Sequence, residues 1–274
     1  MLSEESKILI PTDFSDYSRA AFQYGISLAT KFGSSIILLH VIEPPYNFAT
    51  TMENTLEKLK ENANDELKEW AEKGIREKKV TVDTVLETGM TISSILDSVR
   101  EKDIDLVIMG SKGETGFAKI LFGSVATDIM LHSTVPVLTV PVEMDSFEMN
   151  SILFTTDLRE KDFESLKEVV KLAKSFNSNI DVLHIAEKNE FEDELRFTGF
   201  REMTKEKIDF SDIEFNRHEN ENALEGINEY LNSQSFSLIV MTRYKKSVIG
   251  KLLGKRHTDK IGSYTNKPVL VLIA

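Results

Sequence analysis

The sequence has no cysteine, one tryptophan and six prolines in 274 residues. Without cysteine, disulfides, thiolate zinc sites and cysteine nucleophiles are excluded, which suits a reducing compartment. Long apolar runs are also missing, because segments such as 36–42 fall far short of the roughly 20 apolar residues that a membrane helix needs. The opening residues, Met1–Glu5, lack the basic and apolar pattern of a signal peptide, so we expect a cytoplasmic protein.

The sequence has no surplus of positive charge, because 45 acidic residues outnumber 33 Lys and Arg and the net charge is −12. Broad nucleic-acid or anionic-membrane binding depends on a surplus of basic residues and is therefore not expected. The acidity is concentrated in residues 1–144, which contain 22 acids and 14 bases. With 41% hydrophobic residues, a chain of this length favours two globular domains.

An internal repeat divides the chain into two copies of one domain. The first two matches are 144 residues apart and the last two are 132 apart, so the second copy has lost twelve residues between its second and fourth strands. We therefore predict domains at 1–144 and 145–274. The matched segments are Ile8–Asp13 with Ile152–Asp157, Leu39–Glu43 with Leu183–Glu187, Leu106–Met109 with Leu238–Met241, and Pro136–Leu138 with Pro268–Leu270.

Short runs rich in Ile, Val and Leu alternate with helical patterns within each copy. This alternation predicts parallel strands, right-handed crossovers and helices on both faces of the sheet. Each copy is then a doubly wound α/β domain with a five-stranded parallel sheet in the order 3-2-1-4-5. The predicted strands of the first copy are 7–11, 35–42, 80–86, 105–109 and 136–142.

Two helical patterns stand out. The clearer pattern, at residues 56–70, places apolar residues on one face of a helix and predicts Trp70 as a core residue. Segment 188–208 is a poorer helix pattern and is interrupted by Gly199. The face of the clearer helix consists of Leu56, Leu59, Ala63, Leu67 and Trp70.

In the predicted order, strand order reverses between the first and fourth strands, and open α/β sheets bind ligands at the carboxyl ends of such strands. Polar and glycine residues follow both of these strands. Asp13 directly follows the first strand, and Gly110 opens the loop after the fourth. Ser15 is predicted to begin the first helix. Gly123-Ser124 is predicted to begin a later helix, whose N-terminus can receive an anion. These features favour a phosphate-bearing ligand such as a nucleotide, although glycine is also common in solvent-exposed turns.

The loop at 110–116 matches neither the dinucleotide fingerprint nor the phosphate loop of P-loop proteins. Its spacing Gly110-x2-Gly113-x9-Gly123-Ser124 instead resembles the adenine-nucleotide motif of the universal stress protein family. The flanking strands and the opening segment Lys7–Ser15 resemble that family too. The resemblance covers the whole first copy and reaches the second copy at its strands, so it implies a tandem member of the family.

The resemblance implies a stress-response regulatory protein that binds ATP in its first copy, with ADP or AMP as alternatives. Asp13 and the backbone at Val41 would hold adenine, and Gly110 would lie near the ribose. Mg²⁺ could accompany ATP, but no protein ligand for it is identified. The phosphates would be held by Gly113, Gly123, Ser124 and Val125, and the remaining candidate binding residues are Pro11, Thr12 and Ser111.

The resemblance also implies an assembly. The strands at 136–142 and 268–273 would pair within one chain and form a pseudo-dimer of the two domains, and a homodimer of chains is a further option.

The second copy departs from the binding pattern. Asp157 is retained, but Thr242 stands where the first copy has Gly110, and Lys255-Arg256 stands where it has Gly123-Ser124. Side chains at these positions would obstruct the backbone approach, so we predict a degenerate site and one ATP per chain. Residues 243–260 include seven bases and one acid, which indicates either a solvated face or a site for an anion or an acidic partner.

No catalytic or metal-binding residue is assigned. The five histidines lack close metal-ligand spacing, and the sequence has neither a nucleophile elbow nor a kinase signature. His40 and His184 recur at equivalent strand ends, which favours a structural role. Two alternatives to the regulatory protein remain open: a slow ATP-hydrolysing or phosphotransfer enzyme, in which Lys112 and Lys119 could contribute charge, and a nucleotide-free interaction module.

Overall fold

The computed structural model describes residues 2–44, 53–78, 80–111, 123–142, 147–188, 190–244 and 267–274. The chain divides into two compact units, Leu2–Phe147 and Glu148–Ala274, called the first and second units below. The division falls three residues after the predicted limit of the first copy.

The first unit contains five parallel strands in the order β3-β2-β1-β4-β5. The chain therefore adds strands on one side of β1 and then crosses to the other side, so strand order reverses between β1 and β4. The elements are β1 (Lys7–Pro11), α1 (Asp16–Phe32), β2 (Ser35–Ile42), α2 (Glu53–Lys78), β3 (Val82–Thr88), α3 (Thr91–Glu101), β4 (Leu106–Gly110), α4 (Ser124–His132) and β5 (Val137–Val140).

The second unit repeats this order, as β10-β9-β6-β7-β8. α6 has 17 residues where α2 has 26, so the shortening of the second copy falls in this connection. The elements are β6 (Ser151–Thr155), α5 (Glu160–Phe176), β7 (Asn179–Ala186), α6 (Phe191–Lys207), β8 (Ile213–Glu219), α7 (Ala223–Ser233), β9 (Leu238–Arg243) and β10 (Val269–Ile273).

Helices cover both faces of the sheet in the first unit. Because crossovers are right-handed and change direction after β3, α1 and α2 lie on one face and α3 and α4 on the other. Phe22 of α1 packs on Trp70 of α2 with ring centroids 5.6 Å apart. The α3–α4 contact closes the second face. The predicted doubly wound α/β fold and strand order are confirmed.

The core is formed by the central strands, where Ile8, Leu9 and Ile10 are fully buried. β3 lies at the edge of its sheet and begins at Val82, two residues later than predicted. Val80 is buried without being part of the strand, so its apolar character reflects packing rather than strand pairing.

Two expectations about helices are wrong in detail. Leu59 was expected on the buried face of α2 but is 47% exposed. A helix of 26 residues is about 39 Å long, whereas the eight residues of β2 span about 26 Å, so the sheet cannot cover the whole helix. α6 continues through Gly199, although the sequence pattern is interrupted there.

Candidate functional site

The carboxyl ends of β1 and β4 lie side by side in the first unit. Ile8 pairs with Leu106, and Leu9 pairs with Val107. The structure therefore brings the segment Pro11–Asp13 and the pair Gly110–Ser111 to the same edge of the sheet. Val41, near the end of the neighbouring strand β2, lies at this edge as well.

A tight turn joins β1 to α1 and presents Asp13 at the rim. Asp13 Oδ1 accepts hydrogen bonds from the Ser15 amide at 3.1 Å and from the Ser15 hydroxyl at 2.6 Å. Ser15 caps α1 as predicted, since its Oγ accepts from the Ser18 amide. Phe14 adopts φ +63° and donates its amide to Thr12 Oγ1 at 3.0 Å. These bonds fix the exposed Asp13 at the end of its strand.

Aromatic rings support this turn from beneath. The Phe14 ring centroid lies 4.5 Å from that of His40 and 5.7 Å from that of Trp70. His40 Nδ1 lies 2.8 Å from the carbonyl oxygen of the buried Thr12, and His184 makes the equivalent contact at 2.9 Å with the carbonyl of Thr156. Since a carbonyl oxygen only accepts, Nδ1 is the donor of this contact in both rings. The repetition supports the structural role proposed for both histidines.

Gly110 has a packing role that the sequence analysis did not anticipate. A Cβ at this position would lie 2.7 Å from the backbone carbon and oxygen of Tyr17 in α1. No side chain fits in that space without moving the helix. The glycine is therefore required for the close approach of α1 to β4, independently of any ligand.

Ser111, directly after β4, is hydrogen-bonded to Gly123 at the start of α4. The Gly123 amide donates to the Ser111 carbonyl at 2.7 Å, and the Ser111 amide donates to the Val140 carbonyl at 2.9 Å. α4 begins at Ser124 as predicted, with Gly123 as an N-cap that makes no side-chain hydrogen bond. The first amides of a helix, here including those of Ser124 and Val125, have no acceptor within it and form its positive end.

Some predicted residues lie outside the described residues. These are Gly113, Lys112 and Lys119 of the first unit and most of the basic stretch of the second, 245–260.

Glu43 and Thr91 connect the ends of β2 and β3. The Thr91 amide, at the start of α3, donates to Glu43 Oε1 at 2.8 Å. The hydrogen bonds from the Thr91 side chain and then from its amide hold the pKa of the Glu43 carboxyl below its usual value. Glu43, which directly follows β2, thereby caps α3, the helix that follows β3.

In the second unit, a buried carboxylate occupies the corresponding turn. Asp162 stands where the first unit has Ser18 and is 1% exposed. Its Oδ2 accepts from the Thr156 hydroxyl at 3.0 Å and from the amides of Asp157 and Arg159 at 3.0 and 3.1 Å. Leu158 adopts φ +56°, so the left-handed residue of the first unit is repeated here.

Tyr244 extends this network across the end of β9. Its hydroxyl donates to Asp162 Oδ1 at 2.8 Å, and the Arg159 guanidinium lies 4.5 Å from the centroid of its ring. Burial and the bond to Asp162 raise the pKa of Tyr244 above its usual value. The Asp157 carboxylate lies 3.6 Å from the guanidinium of Arg159. Side chains of the second unit thus contact one another at the carboxyl ends of β6 and β9.

A second network ties α6 to β7 and β8. His184 Nε2 and Arg217 Nε each lie within hydrogen-bond distance of the Asp193 carboxylate, at 2.9 and 3.0 Å. Burial opposes ionisation of Asp193, but the bonds from His184 and Arg217 outweigh it and hold the pKa below its usual value. Sequence reasoning missed both networks of this unit. The replacement of Ser18 by Asp162 at equivalent repeat positions is a signal that could have revealed the first.

The described residues include neither a metal-binding cluster nor a membrane-spanning helix. No group of three or more His, Asp or Glu side chains there has an arrangement that could hold a metal ion. Within the same ranges, no helix is both long and apolar enough to cross a bilayer.

The doubly wound fold, with polar residues where its strand order reverses, defines an α/β protein of the type that binds ligands at that edge. The family model of the universal stress protein family matches residues 5–141, half of the chain. The chain belongs to the universal stress protein family.

Individual proteins resemble the chain to different extents. A universal stress protein of Methanocaldococcus jannaschii is 33% identical over 138 residues, covering 49% of this chain and 81% of that protein. The crystal structure of a universal stress protein from Archaeoglobus fulgidus covers 100% of this chain and 98% of that one, with 19% identity and a TM-score of 0.78, and so shares the fold along both units. A family member from Arabidopsis thaliana, described with AMP bound, covers 50% of this chain and 91% of that one, at 20% identity and a TM-score of 0.38.

Proposed function

We propose that the first unit binds one adenine nucleotide, with ATP as the main ligand, and that the protein is a stress-response regulator whose state depends on this binding. One observation carries the proposal: Asp13 and the uncapped N-terminus of α4 follow the two strands between which strand order reverses. An open α/β sheet binds its ligands at this edge. The Gly123–Ser111 hydrogen bond keeps the start of α4 next to the end of β4.

The chemistry of the two sides suits the two ends of a nucleotide. Asp13 and the backbone at Val41 offer hydrogen-bond partners to the base and ribose. The first amides of α4, including those of Ser124 and Val125, offer donors and a positive dipole end to the phosphates. Membership of the universal stress protein family supports the same assignment.

We propose a single site per chain. In the second unit, Tyr244 and Arg159 stack across the ends of β6 and β9, and Asp162 takes the donors of the turn. A nucleotide would have to displace these contacts. The second unit then serves as a structural partner rather than as a second ligand site.

ATP would act by shifting the populations of the protein's conformations. A ligand stabilises whichever conformation it binds more tightly, so occupation of the crevice would favour an assembly that uses the ordered surface around α4. Hydrolysis is tested separately. ADP release at ordinary enzyme rates of about 1–1000 per second, lost in binding-deficient variants, would replace the regulatory function with an enzymatic one.

The decisive experiment is calorimetric titration of the full chain with ATP. We expect one site per chain. We also expect Gly123→Asp to weaken binding by about tenfold or more, because an aspartate at the N-cap would bond to the amides of α4 and repel the phosphates. The same substitution improves the helix cap, so the variant is expected to fold.

Two matched variants complete the test. Gly123→Ser adds a neutral cap and should weaken binding less than Gly123→Asp. Asp157→Asn in the second unit should leave ATP affinity unchanged. Two sites per chain, or equal affinity of the Gly123→Asp variant and the natural protein, would contradict the proposal.

A further inference from the structure

Met90 is a large apolar side chain that is exposed at the carboxyl edge of the first unit's sheet. It lies between the end of β3 and the start of α3, and 70% of its surface is exposed. Met109 and Met130 of the same unit are instead buried. Susceptibility of a methionine to oxidation follows its exposure, so the Met90 sulfur is accessible both to a ligand and to an oxidant.

The backbone on either side of Met90 is tied to the end of β2. The Gly89 amide donates to the Ile42 carbonyl at 3.0 Å, which continues the pairing of β3 with β2 by one residue. The Thr91 amide donates to Glu43 Oε1 at 2.8 Å. The exposed side chain of Met90 therefore extends from a backbone position that two hydrogen bonds fix beside β2.

This position is next to the proposed binding place of the base. Val41 pairs with Glu87, three residues before Met90, and paired strands are about 4.8 Å apart. Methionine is unbranched, has three rotatable bonds and makes favourable contacts with aromatic rings through its polarizable sulfur. The Met90 side chain can therefore reach across the end of β2 to a base held at Val41.

We propose that Met90 covers the base of the bound nucleotide and that oxidation of its sulfur by a peroxide weakens nucleotide binding. The inference rests on the proposed function of the first unit, to which it adds a contact and a form of regulation. Contact between the side chain and the base would remove apolar surface of both from water.

Oxidation would make this contact polar. Hydrogen peroxide transfers one oxygen atom to the sulfur, so an S–O bond forms as the O–O bond breaks and the sulfur loses two electrons. The departing hydroxide takes up the peroxide proton and leaves as water. The product is methionine sulfoxide, a polar and chiral side chain that disrupts apolar contacts.

The first experiment measures whether the nucleotide covers Met90. The full chain is treated with dilute hydrogen peroxide, with and without saturating ATP, and oxidation of each methionine is followed by peptide mass spectrometry. We expect ATP to slow oxidation of Met90 at least about fivefold. Met203 of α6, a partly exposed residue of the second unit, is the internal control and should oxidise at the same rate in both samples.

The second experiment tests the contact by calorimetric titration with ATP. Met90→Gln introduces a polar side chain of similar length and should weaken binding about tenfold, whereas Met90→Leu keeps the apolar surface and should weaken it only about twofold to threefold. Peroxide treatment should weaken ATP binding to the natural protein about tenfold and should not weaken binding to Met90→Leu any further. Because the side chain is exposed, both variants are expected to fold.

Ile75→Gln is the matched control variant. Ile75 is also an exposed apolar residue of the first unit. It adjoins Gly74, where a Cβ would lie 3.4 Å from Val82 at the start of β3, and so belongs to the opposite end of the sheet. Ile75→Gln should leave ATP affinity unchanged.

The outcomes separate this inference from the proposed function. A natural protein that binds no adenine nucleotide would overturn both. ATP binding that neither protects Met90 from peroxide nor weakens in Met90→Gln would overturn only the covering role of Met90. Equal weakening of the natural protein and of Met90→Leu by peroxide would overturn the regulation by oxidation at this residue.

Discussion

Two glycines of this protein differ in how closely other atoms pack against them. Gly110 faces the backbone of Tyr17 so closely that a Cβ would lie 2.7 Å from it, whereas Gly199 faces open space. Gly110 ends strand β4 and Gly199 lies inside helix α6, and neither adopts a left-handed conformation. Their effects on stability should therefore have opposite signs.

We expect Gly110→Ala to destabilise the protein by about 1–3 kcal/mol, because the added methyl forces α1 away from β4. Gly199→Ala should stabilise it by about 0.5–1 kcal/mol through helix propensity alone. Urea unfolding of both variants at low protein concentration measures the difference. A neutral Gly110→Ala substitution would show that α1 moves at little cost.

Among the described residues, the hydroxyl of Tyr244 is one of four donors to the buried Asp162 carboxylate. Tyr244→Phe should lower the free energy of unfolding by about 1–3 kcal/mol, because it removes a hydrogen bond to a buried charged group. The measurement is urea unfolding of a double-mutant cycle with Asp162→Asn. The effect of Tyr244→Phe should shrink in that background, and strict additivity would show that the two side chains do not cooperate.

At the scale of single elements, α6 depends on an ionised carboxylate. The pKa of Asp193 is lower in the folded protein than in the unfolded chain, so the unfolded chain binds the proton first as pH falls. This contribution to stability is present above about pH 4, the ordinary aspartate pKa, and is lost as pH falls through the folded pKa.

We therefore expect Asp193→Asn to be less stable than the natural protein at pH 7, with the difference shrinking below about pH 4. Chemical unfolding at pH 7 and pH 3 provides the measurement. Glu192→Gln, a substitution in the exposed first turn of the same helix, is the control. A difference between the natural protein and Asp193→Asn that stays constant with pH would contradict this account.

Most elements could be predicted from the sequence because they depend on local pattern and on the repeat. The strands β1 and β2 and the starts of α1 and α4 are found at their predicted residues. β3 is displaced because burial and strand pairing do not coincide at Val80. Leu59 is exposed because a periodic apolar face does not reveal where the sheet ends.

The interactions that escaped prediction join residues far apart in the sequence. Tyr244 and Asp162 are separated by 82 positions, and the contact of Gly110 with Tyr17 appears only when the helix and strand pack. For the candidate site, the sequence identified the strand ends that the fold brings to one edge. It assigned Gly110 to a ligand, whereas the structure shows that helix packing already requires this glycine.

At the scale of the whole molecule, the single tryptophan allows unfolding of the first unit to be followed apart from that of the second. Trp70 belongs to the first unit and contacts Phe14, the residue next to Asp13. Its fluorescence therefore follows unfolding of the first unit, while circular dichroism follows both units.

ATP at about 100 times its dissociation constant should raise the unfolding free energy of the first unit by about 2.7 kcal/mol. We expect the tryptophan transition to move to higher denaturant, while a part of the circular dichroism signal does not shift. The Gly123→Asp variant provides the control, because its tryptophan transition should move far less. Movement of the whole circular dichroism signal would indicate that the units unfold together or that both bind nucleotide.

Asp162 also has an electrostatic consequence for the second unit. A carboxylate that is 1% exposed lies in surroundings of low dielectric constant, where its field is screened far less than at the surface. A triphosphate approaching this crevice would meet like charge at short range, in addition to the space taken by Tyr244. Neutralising the position with Asp162→Asn would remove the repulsion and leave the steric obstacle. Under the proposed single site per chain, charge and volume would therefore act as two separate barriers to a second nucleotide.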